Sequence, residues 1–217
     1  MPIAIAIDGP ASSGKGTIAR KVAEILHYNH VDTGAMYRAV ALFSRRAGCA
    51  WEDNDAVAAV ARRLAFTFPL VGGVVHTVVN GEDVSTEIRG EEIGKGASKV
   101  AAIPDVRLAL LQAQRDLGTR GGVVMDGRDI GTVVLPSAQL KIYLDASLEE
   151  RARRRALELG KDLAEVRTEL ADRDARDMSR AVAPLTCAVD AVRLDTTGIT
   201  IEMVVLQVLE LAQSRGA

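Results

Sequence analysis

The run Gly9-Pro10-Ala11-Ser12-Ser13-Gly14-Lys15-Gly16-Thr17 constrains the fold of this chain more than any other stretch. It follows a short apolar segment, residues 3–7, that ends at Asp8, and it precedes apolar spacing of helical period over residues 18–26. Strand, glycine loop and helix in that order turn consecutive backbone N–H groups inward at a helix N-terminus, where partial positive charge favours an anion. Lys15 adds a mobile cation able to bridge the β- and γ-phosphates of a nucleotide. An ordinary glycine turn would not need the Gly-x-x-x-x-Gly-Lys spacing together with both flanking elements. The position after the lysine is Gly16 rather than Ser or Thr, with Thr17 one place later. A direct hydroxyl–Mg²⁺ bond of the kind found in switch GTPases is therefore not expected.

Further strands are predicted at residues 122–125 (GVVM), 140–144 (LKIYL) and 192–196 (VRLDT), with helical patterns at 35–47 and 201–213. Asp32-Thr33-Gly34 reads as a break before the first of these helices. Repeated strand–helix alternation implies a parallel sheet covered on both faces. One stretch breaks the rhythm: residues 66–84 alternate and are punctuated by turns, in the manner of an antiparallel hairpin. The expected organisation is thus an α/β core, residues 1–63 and 104–217, with a small lobe inserted at 64–103.

Composition narrows the function classes. At 217 residues, 48% hydrophobic and with a net charge of −2, the chain can bury a sizeable core and lacks the signature of disorder. Near-neutrality argues against a general nucleic-acid binder. No apolar run reaches about 18 residues, and the N-terminus has no basic region before its strand, so neither a membrane span nor a signal peptide is expected. Cys49 and Cys187 make no metal spacing and are read as small buried residues of a reduced, cytoplasmic protein. No apolar seam is evident, and a monomer is expected. The basic residues are skewed to 21 Arg against 6 Lys; this fits phosphate handling, and it equally fits a compositional bias shared with the chain's 33 Ala and 19 Gly.

Several classes of phosphate-loop protein remain. A GTPase switch would carry Asn-Lys-x-Asp, which is absent. A motor or transport ATPase would carry an acid after the strand-end aspartate, whereas GVVM runs into Asp126-Gly127-Arg128. A kinase acting on a phosphate acceptor needs no strong general base, because the acceptor is already anionic. His27, His30 and His76 are scattered and fall in no motif, consistent with catalysis by positioning and charge neutralisation.

Together with GPASSGKGT, the stretches DTGAMYR (32–38), DGRDIGT (126–132) and RAVAPL (180–185) closely resemble the bacterial cytidylate kinase family, nearly end to end. The resemblance implies a P-loop NTPase core with a five-stranded parallel sheet flanked by helices, a monophosphate-binding lobe at 64–103, and a mobile lid at about 151–172. It implies phosphoryl transfer from ATP to CMP, with dCMP also accepted, and Mg²⁺ held mainly by phosphates and water rather than by a protein ligand. Alternatives are another nucleoside monophosphate kinase using UMP or AMP, or a non-enzymatic regulatory or RNA-binding P-loop protein.

By the same resemblance, Gly9, Pro10, Ala11, Ser12, Ser13, Gly14, Lys15, Gly16 and Thr17 hold ATP, with Arg154 and Arg155 closing over its phosphates. Arg38, Arg128 and Arg180 match the arginines on the acceptor phosphate; Ser98, Arg107 and Asp129 match those that read the base; Arg173 and Asp177 match the ribose contacts; Thr33 joins the CMP site. Lys15, Arg128, Arg154 and Arg180 are the expected catalytic cations. Chemically, an aspartate can accept from the cytosine N4 amine, and an arginine suits N3 and O2. Residues 173, 177 and 180 are spaced to share one helix face, a pattern that a solvated salt-bridge ladder with Asp172, Asp174 and Arg176 would also give. Arg151 and Arg153 complete a basic cluster at the start of the lid, which could instead be a solvated helix neutralised by Glu149, Glu150 and Glu158. The segment 156–173 is several residues shorter than the family pattern, giving a short lid. Trp51 and the three Phe are expected to pack in the core or lobe, while Tyr37 is the one aromatic inside a motif.

Overall fold

A computed structural model describes residues 2–119 and 121–217. In chain order the elements are β1 (Ala4–Asp8), α1 (Lys15–Leu26), β2 (Asn29–Asp32), α2 (Thr33–Arg46) and α3 (Asn54–Ala61). Short strands follow: β3 (Phe66–Thr67), β4 (Leu70–Val71), β5 (Val74–Val75), β6 (Val78–Val79) and β7 (Glu82–Asp83). After a 3₁₀ turn come α4 (Glu91–Val100), α5 (Pro104–Gly118), β8 (Val123–Gly127) and a π-helical turn (Ile130–Val134). The chain ends with β9 (Leu140–Asp145), α6 (Leu148–Leu159), α7 (Leu163–Met178), β10 (Val192–Asp195) and α8 (Ile201–Ser214).

The main sheet has five strands in the order β10-β9-β1-β8-β2. β1 pairs in parallel with both β8 and β9, and β10 in parallel with β9. Every residue of β1 and β8 is buried, as expected for continuous apolar strands covered on both faces. The register sets Asp8 beside Gly127 and Tyr143, so the phosphate loop and the Arg128-Asp129 segment leave neighbouring strands at the same, carboxyl-terminal end. β2 was not expected: the break predicted at Asp32-Thr33-Gly34 is instead the last residue of this strand and the first two of α2. Its four residues, NHVD, include one fully buried apolar side chain, and α2 starts directly after it with Asp32 as N-cap, accepting from the Ala35 N–H.

The chain divides into two compact units. The first comprises Met1–His30 and Gly118–Ala217. Its core packs Ile5, Ile7, Val22, Ile142 and Leu144 against Val204 and Val208 of α8. The expected lid segment is the pair α6 and α7, joined at Gly160; Ala152, Ala156, Val166 and Leu170 form a small core there with Ala11 of the phosphate loop. Cys187 is exposed and Cys49 half-buried, so the expectation that both are buried is corrected. No helix among the described residues is long and apolar enough to cross a membrane.

The second unit is Val31–Leu117, and the expected lobe at 64–103 lies within it. The alternating stretch forms a small antiparallel sheet, β3-β6-β7, and a separate hairpin, β4-β5, whose Leu70, Val71 and Val74 are exposed around the Gly72-Gly73 turn. Trp51 packs against the unit's core and donates from Nε1 to the carbonyl of Ala41 at 2.9 Å. A Cβ on Gly96 of α4 would lie 2.5 Å from the indole ring, so the absence of a side chain there is what admits Trp51. Gly96→Ala should overpack this contact and cost about 1–3 kcal/mol. Urea unfolding followed by the fluorescence of Trp51, the only tryptophan, reads the loss directly.

Candidate functional site

The phosphate loop is held by close backbone approach. A Cβ on Gly9 would lie 2.0 Å from the carbonyl oxygen of Leu144 in β9, so only glycine fits at the loop's first position. Lys15, the first residue of α1, folds back and donates from Nζ to the Pro10 carbonyl at 3.0 Å. Its ammonium is buried, and burial together with the nearby Arg128 pushes its pKa down to about 7, with Asp126 opposing. The Ser13 hydroxyl is buried and has no hydrogen-bond partner among the described residues. At Gly16, the nearest side-chain atom to a virtual Cβ is Asp126 Oδ2, at 3.7 Å.

Two residues around the loop were not among the expected site residues, and a third, Arg151, has other partners than the ones expected. Asp8, at the end of β1, accepts from the N–H of Ile130 at 2.8 Å and of Gly131 at 2.7 Å, and so ties the turn after Asp129 to the phosphate-loop strand. Burial, opposed by those two hydrogen bonds and helped by Asp129, pushes the Asp8 carboxyl up to about 7. His30 Nε2 sits 2.8 Å from Asp126 Oδ1, both side chains nearly inaccessible. Position alone could have flagged Asp8, a charge at the inner end of an apolar strand. Nothing in the sequence marks His30, since β2 itself went unread. The third is Arg151, which the sequence placed in a basic cluster over ATP. It is buried, donating to the carbonyls of Ala146 and Ala11 and to Asp174 at 2.5 Å.

Beside the loop, cations of the expected acceptor set converge on α7. Arg128 Nε donates to Asp177 Oδ2 at 2.7 Å, and Arg180 pairs with the other oxygen of the same carboxylate. Burial disfavours the Asp177 charge, but Arg128 and Arg180 outweigh it and hold the carboxyl below its usual range. Helix α7 ends at Met178, so Arg180 reaches Asp177 from just beyond the helix rather than from its surface. Leu185, buried, anchors that loop through its N–H to the Asp177 carbonyl at 2.8 Å. Asp174 and Asp177 are buried, whereas Asp172 and Arg176 are exposed. A solvated ladder does not describe the inward face. Asp129 is buried at the start of the π-helical turn, its carbonyl accepting from Val133 and Val134.

Of the expected lid arginines, Arg154 donates to Glu150 and, from Nη1 and Nη2, to the hydroxyl and carbonyl of Thr196. Thr196 Oγ1 lies 3.4 Å from the Ser13 carbonyl, so Arg154 is held next to the phosphate loop. Arg155 pairs with Glu158 along its own helix, and exposed Arg153 pairs with Glu150.

The second unit carries the remaining expected residues. Thr33 opens α2 and is buried; one turn on, Arg38 Nη1 donates to Asp32 Oδ2 at 3.2 Å. The Arg107 guanidinium stands 5.4 Å from the Tyr37 ring centroid and donates to the Ala101 carbonyl. Ser98, on α4, is buried with its hydroxyl unpartnered among the described residues. These side chains form the second unit's share of the expected acceptor residues; Arg128, Asp129, Arg173, Asp177 and Arg180 belong to the first.

A family model described as cytidylate kinase matches residues 5–214. A cytidylate kinase of Chromobacterium violaceum is 50% identical, covering 98% of this chain and 96% of its own length. One from a Geobacter species is 48% identical over 97% of this chain and 91% of its own, and one from Vibrio cholerae is 46% identical over 97% and 96%. Among solved structures, an uncharacterized protein from Eubacterium ventriosum superposes with a TM-score of 0.57 at 11% identity, covering 98% of this chain and 99% of that one; it bears on the fold alone.

Burying Lys15 opposes folding, and the sign of that cost with pH is fixed. Below about pH 7 the lysine is charged in both states and the penalty is complete; as pH rises from about 7 to 10.5 the folded state sheds the proton first and the penalty fades. Lys15→Met should therefore raise stability by ~2 kcal/mol below pH 7, with the gain shrinking toward pH 10. Urea midpoints of the variant and the parent, compared at each pH, measure it; the decisive part is the range above about pH 8, clear of Asp8, whose carboxyl Lys15 helps to lower.

Proposed function

The chain belongs to the cytidylate kinase family and transfers a phosphoryl group from ATP to CMP, and we propose that its own residues divide this work into a donor set and an acceptor set. Residues 9–17 wrap the donor phosphates with backbone N–H groups, Lys15 exchanges the Pro10 carbonyl for phosphate oxygens, and Arg154 joins them. Arg38, Arg128 and Arg180 hold the acceptor phosphate. Arg173 and Asp177 hold the ribose; Ser98, Arg107 and Asp129 read the base, with Thr33 beside them. Arg155, turned toward Glu158, would have to leave that partner to reach ATP.

The observation that carries this reading is the gathering of Lys15, Arg128 and Arg180 around buried carboxylates next to a phosphate loop. Cations held this way neutralise charge on both reactants and fix their line of approach. That is most of what transfer to an anionic acceptor requires. ATP enters as its magnesium complex, in which the metal screens the phosphate oxygens. The metal would be carried mainly by phosphates and water. Asp126, buried beside Gly16 and fixed by His30, is the carboxylate that would face the complex.

An acceptor panel of CMP, dCMP, UMP and AMP with ATP tests the assignment. CMP and dCMP should be used in preference to UMP, with AMP poor; AMP as the favoured acceptor would overturn it, and nucleotide binding without turnover would mark a switch. Uracil presents a carbonyl where cytosine has its amine, and a carboxylate repels it. Asp129→Ala should therefore reduce the CMP-over-UMP ratio of kcat/KM by about tenfold or more while leaving the KM for ATP nearly unchanged. Equal losses for both monophosphates would remove Asp129 from base recognition.

A further inference from the structure

Two buried aspartates lie one turn apart on α7, and each holds a different part of the first unit. Asp177 takes Arg128 and Arg180. Asp174 takes Arg151 of α6 at 2.5 Å and accepts from the backbone N–H of Ala11 at 3.3 Å. Arg151 in turn donates to the Ala11 carbonyl at 3.1 Å and to the Ala146 carbonyl, just past β9, at 3.0 Å. Both backbone polar groups of Ala11, in the middle of the phosphate loop, are thereby occupied by one ion pair. The next residue, Ser12, has φ of 58°, a conformation that a side chain other than glycine rarely adopts without help from its surroundings. A buried ion pair is a weak source of stability, since an apolar pair of similar volume often does as well or better. Here the small core of Ala152, Ala156, Val166 and Leu170 already joins α6 to α7. The pair's hydrogen bonds instead fix the loop backbone relative to the helix.

We propose that Arg151 and Asp174 are positioning residues that lock the phosphate loop at Ala11 to helix α7, so that the donor loop and the arginines on Asp177 keep a fixed spacing during transfer. The proposal rests on the reading of Arg128, Asp177 and Arg180 as acceptor-side groups. Neither Arg151 nor Asp174 needs to touch a nucleotide. Their effect falls on the alignment of donor and acceptor, where an error near 1 Å costs about a hundredfold in rate. Displaced alignment lowers kcat more than it weakens either substrate.

The test removes the lock without leaving a lone buried charge. In the double variant Arg151→Met/Asp174→Val both charges go and the summed side-chain volume changes little. It should melt within a few degrees of the parent yet turn over CMP with kcat at least tenfold lower per active site, and with both KM values within about threefold. Arg151→Lys is the milder variant: it keeps the charge but loses the fork that reaches three acceptors, and should also lower kcat tenfold at temperatures well below its melting point. Val208→Ala, a cavity in the core under α8, supplies a comparably destabilised control and should keep parental kcat. A folded double variant, or a folded Arg151→Lys, with parental kcat would reduce the pair to a structural role and overturn the proposal. Arg180→Lys separates the two readings, because it should raise the KM for CMP at least tenfold. An unchanged KM there would sink the acceptor assignment, while the kcat of the lock variants would still report on Ala11.

Discussion

Cations gathered to meet phosphate repel one another, and in a buried place they cannot rely on water to screen them. This constraint shapes the whole catalytic end of the first unit. Lys15, Arg128 and Arg180 are kept together by Asp126, Asp174 and Asp177, carboxylates supplied from the end of β8 and from α7. Where the carboxylates are close enough, as at Asp177, the ion pair wins and the carboxyl stays ionised. At Lys15 it does not win outright: burial and Arg128 together leave the ammonium poorly stabilised, with the Pro10 carbonyl as its hydrogen-bond acceptor. In the proposed donor site, such a poorly satisfied cation would give up the Pro10 carbonyl for phosphate oxygens, at a cost to folding stability.

The parallel sheet makes such a concentration possible. β1 and β8 are neighbours in register, so whatever follows Asp8 and whatever follows Gly127 must emerge together. Asp8 then draws the two segments closer by accepting from Ile130 and Gly131, which fixes the π-helical turn behind Asp129. Turns of that type accommodate an extra residue at some strain and recur where a side chain has to be aimed. One carboxylate thus couples the start of the donor loop to the segment that carries Arg128 and Asp129. The lysine's depressed pKa and the raised pKa of Asp8 come from the same burial, acting on charges of opposite sign.

Legibility in the sequence followed the range of the interactions. The phosphate loop was readable because its determinants are local: glycine spacing, a lysine, an apolar strand before and a helix after. The antiparallel stretch near residue 75 was readable for the same reason, since alternation and Asn80-Gly81 act within a few residues. β2 was not readable. Asn29 and Asp32 are polar, and the strand forms because β8 offers an unpaired edge, which no local pattern announces. Arg151 was grouped with Arg153, Arg154 and Arg155 because the inward stripe of α6 is made of small alanines that four charges conceal. Its burial depends on Ala11 and Asp174, distant in sequence. Arg180 was assigned to the face of α7 by spacing, yet the helix stops two residues before it, and only the Leu185 anchor returns its side chain to Asp177. The base and phosphate roles came from resemblance rather than from any of these patterns.

The excess of arginine over lysine divides along the same line. Arg45 and Arg62 each meet one exposed carboxylate on the surface, where an ion pair contributes little and where lysine would serve as well. Arg107, Arg128, Arg151 and Arg154 each use more than one edge of the guanidinium: on a carbonyl and an aromatic face, on a carboxylate and a backbone oxygen, on two carbonyls and a carboxylate, on a carboxylate and a threonine. A lysine ammonium has the donors but not the fixed planar fork that orients them, so it could not hold those partners at the same time. An acceptor that is already anionic removes the need for a strong base and transfers the burden to geometry, and geometry is what multi-edged arginines provide. Partner number alone does not separate the two groups, since exposed Arg46 also forks across Glu82 and Glu87 and lies over Phe43; what sets Arg107, Arg128 and Arg151 apart is that their fixed partners are buried, and the overall count of arginines carries no such information.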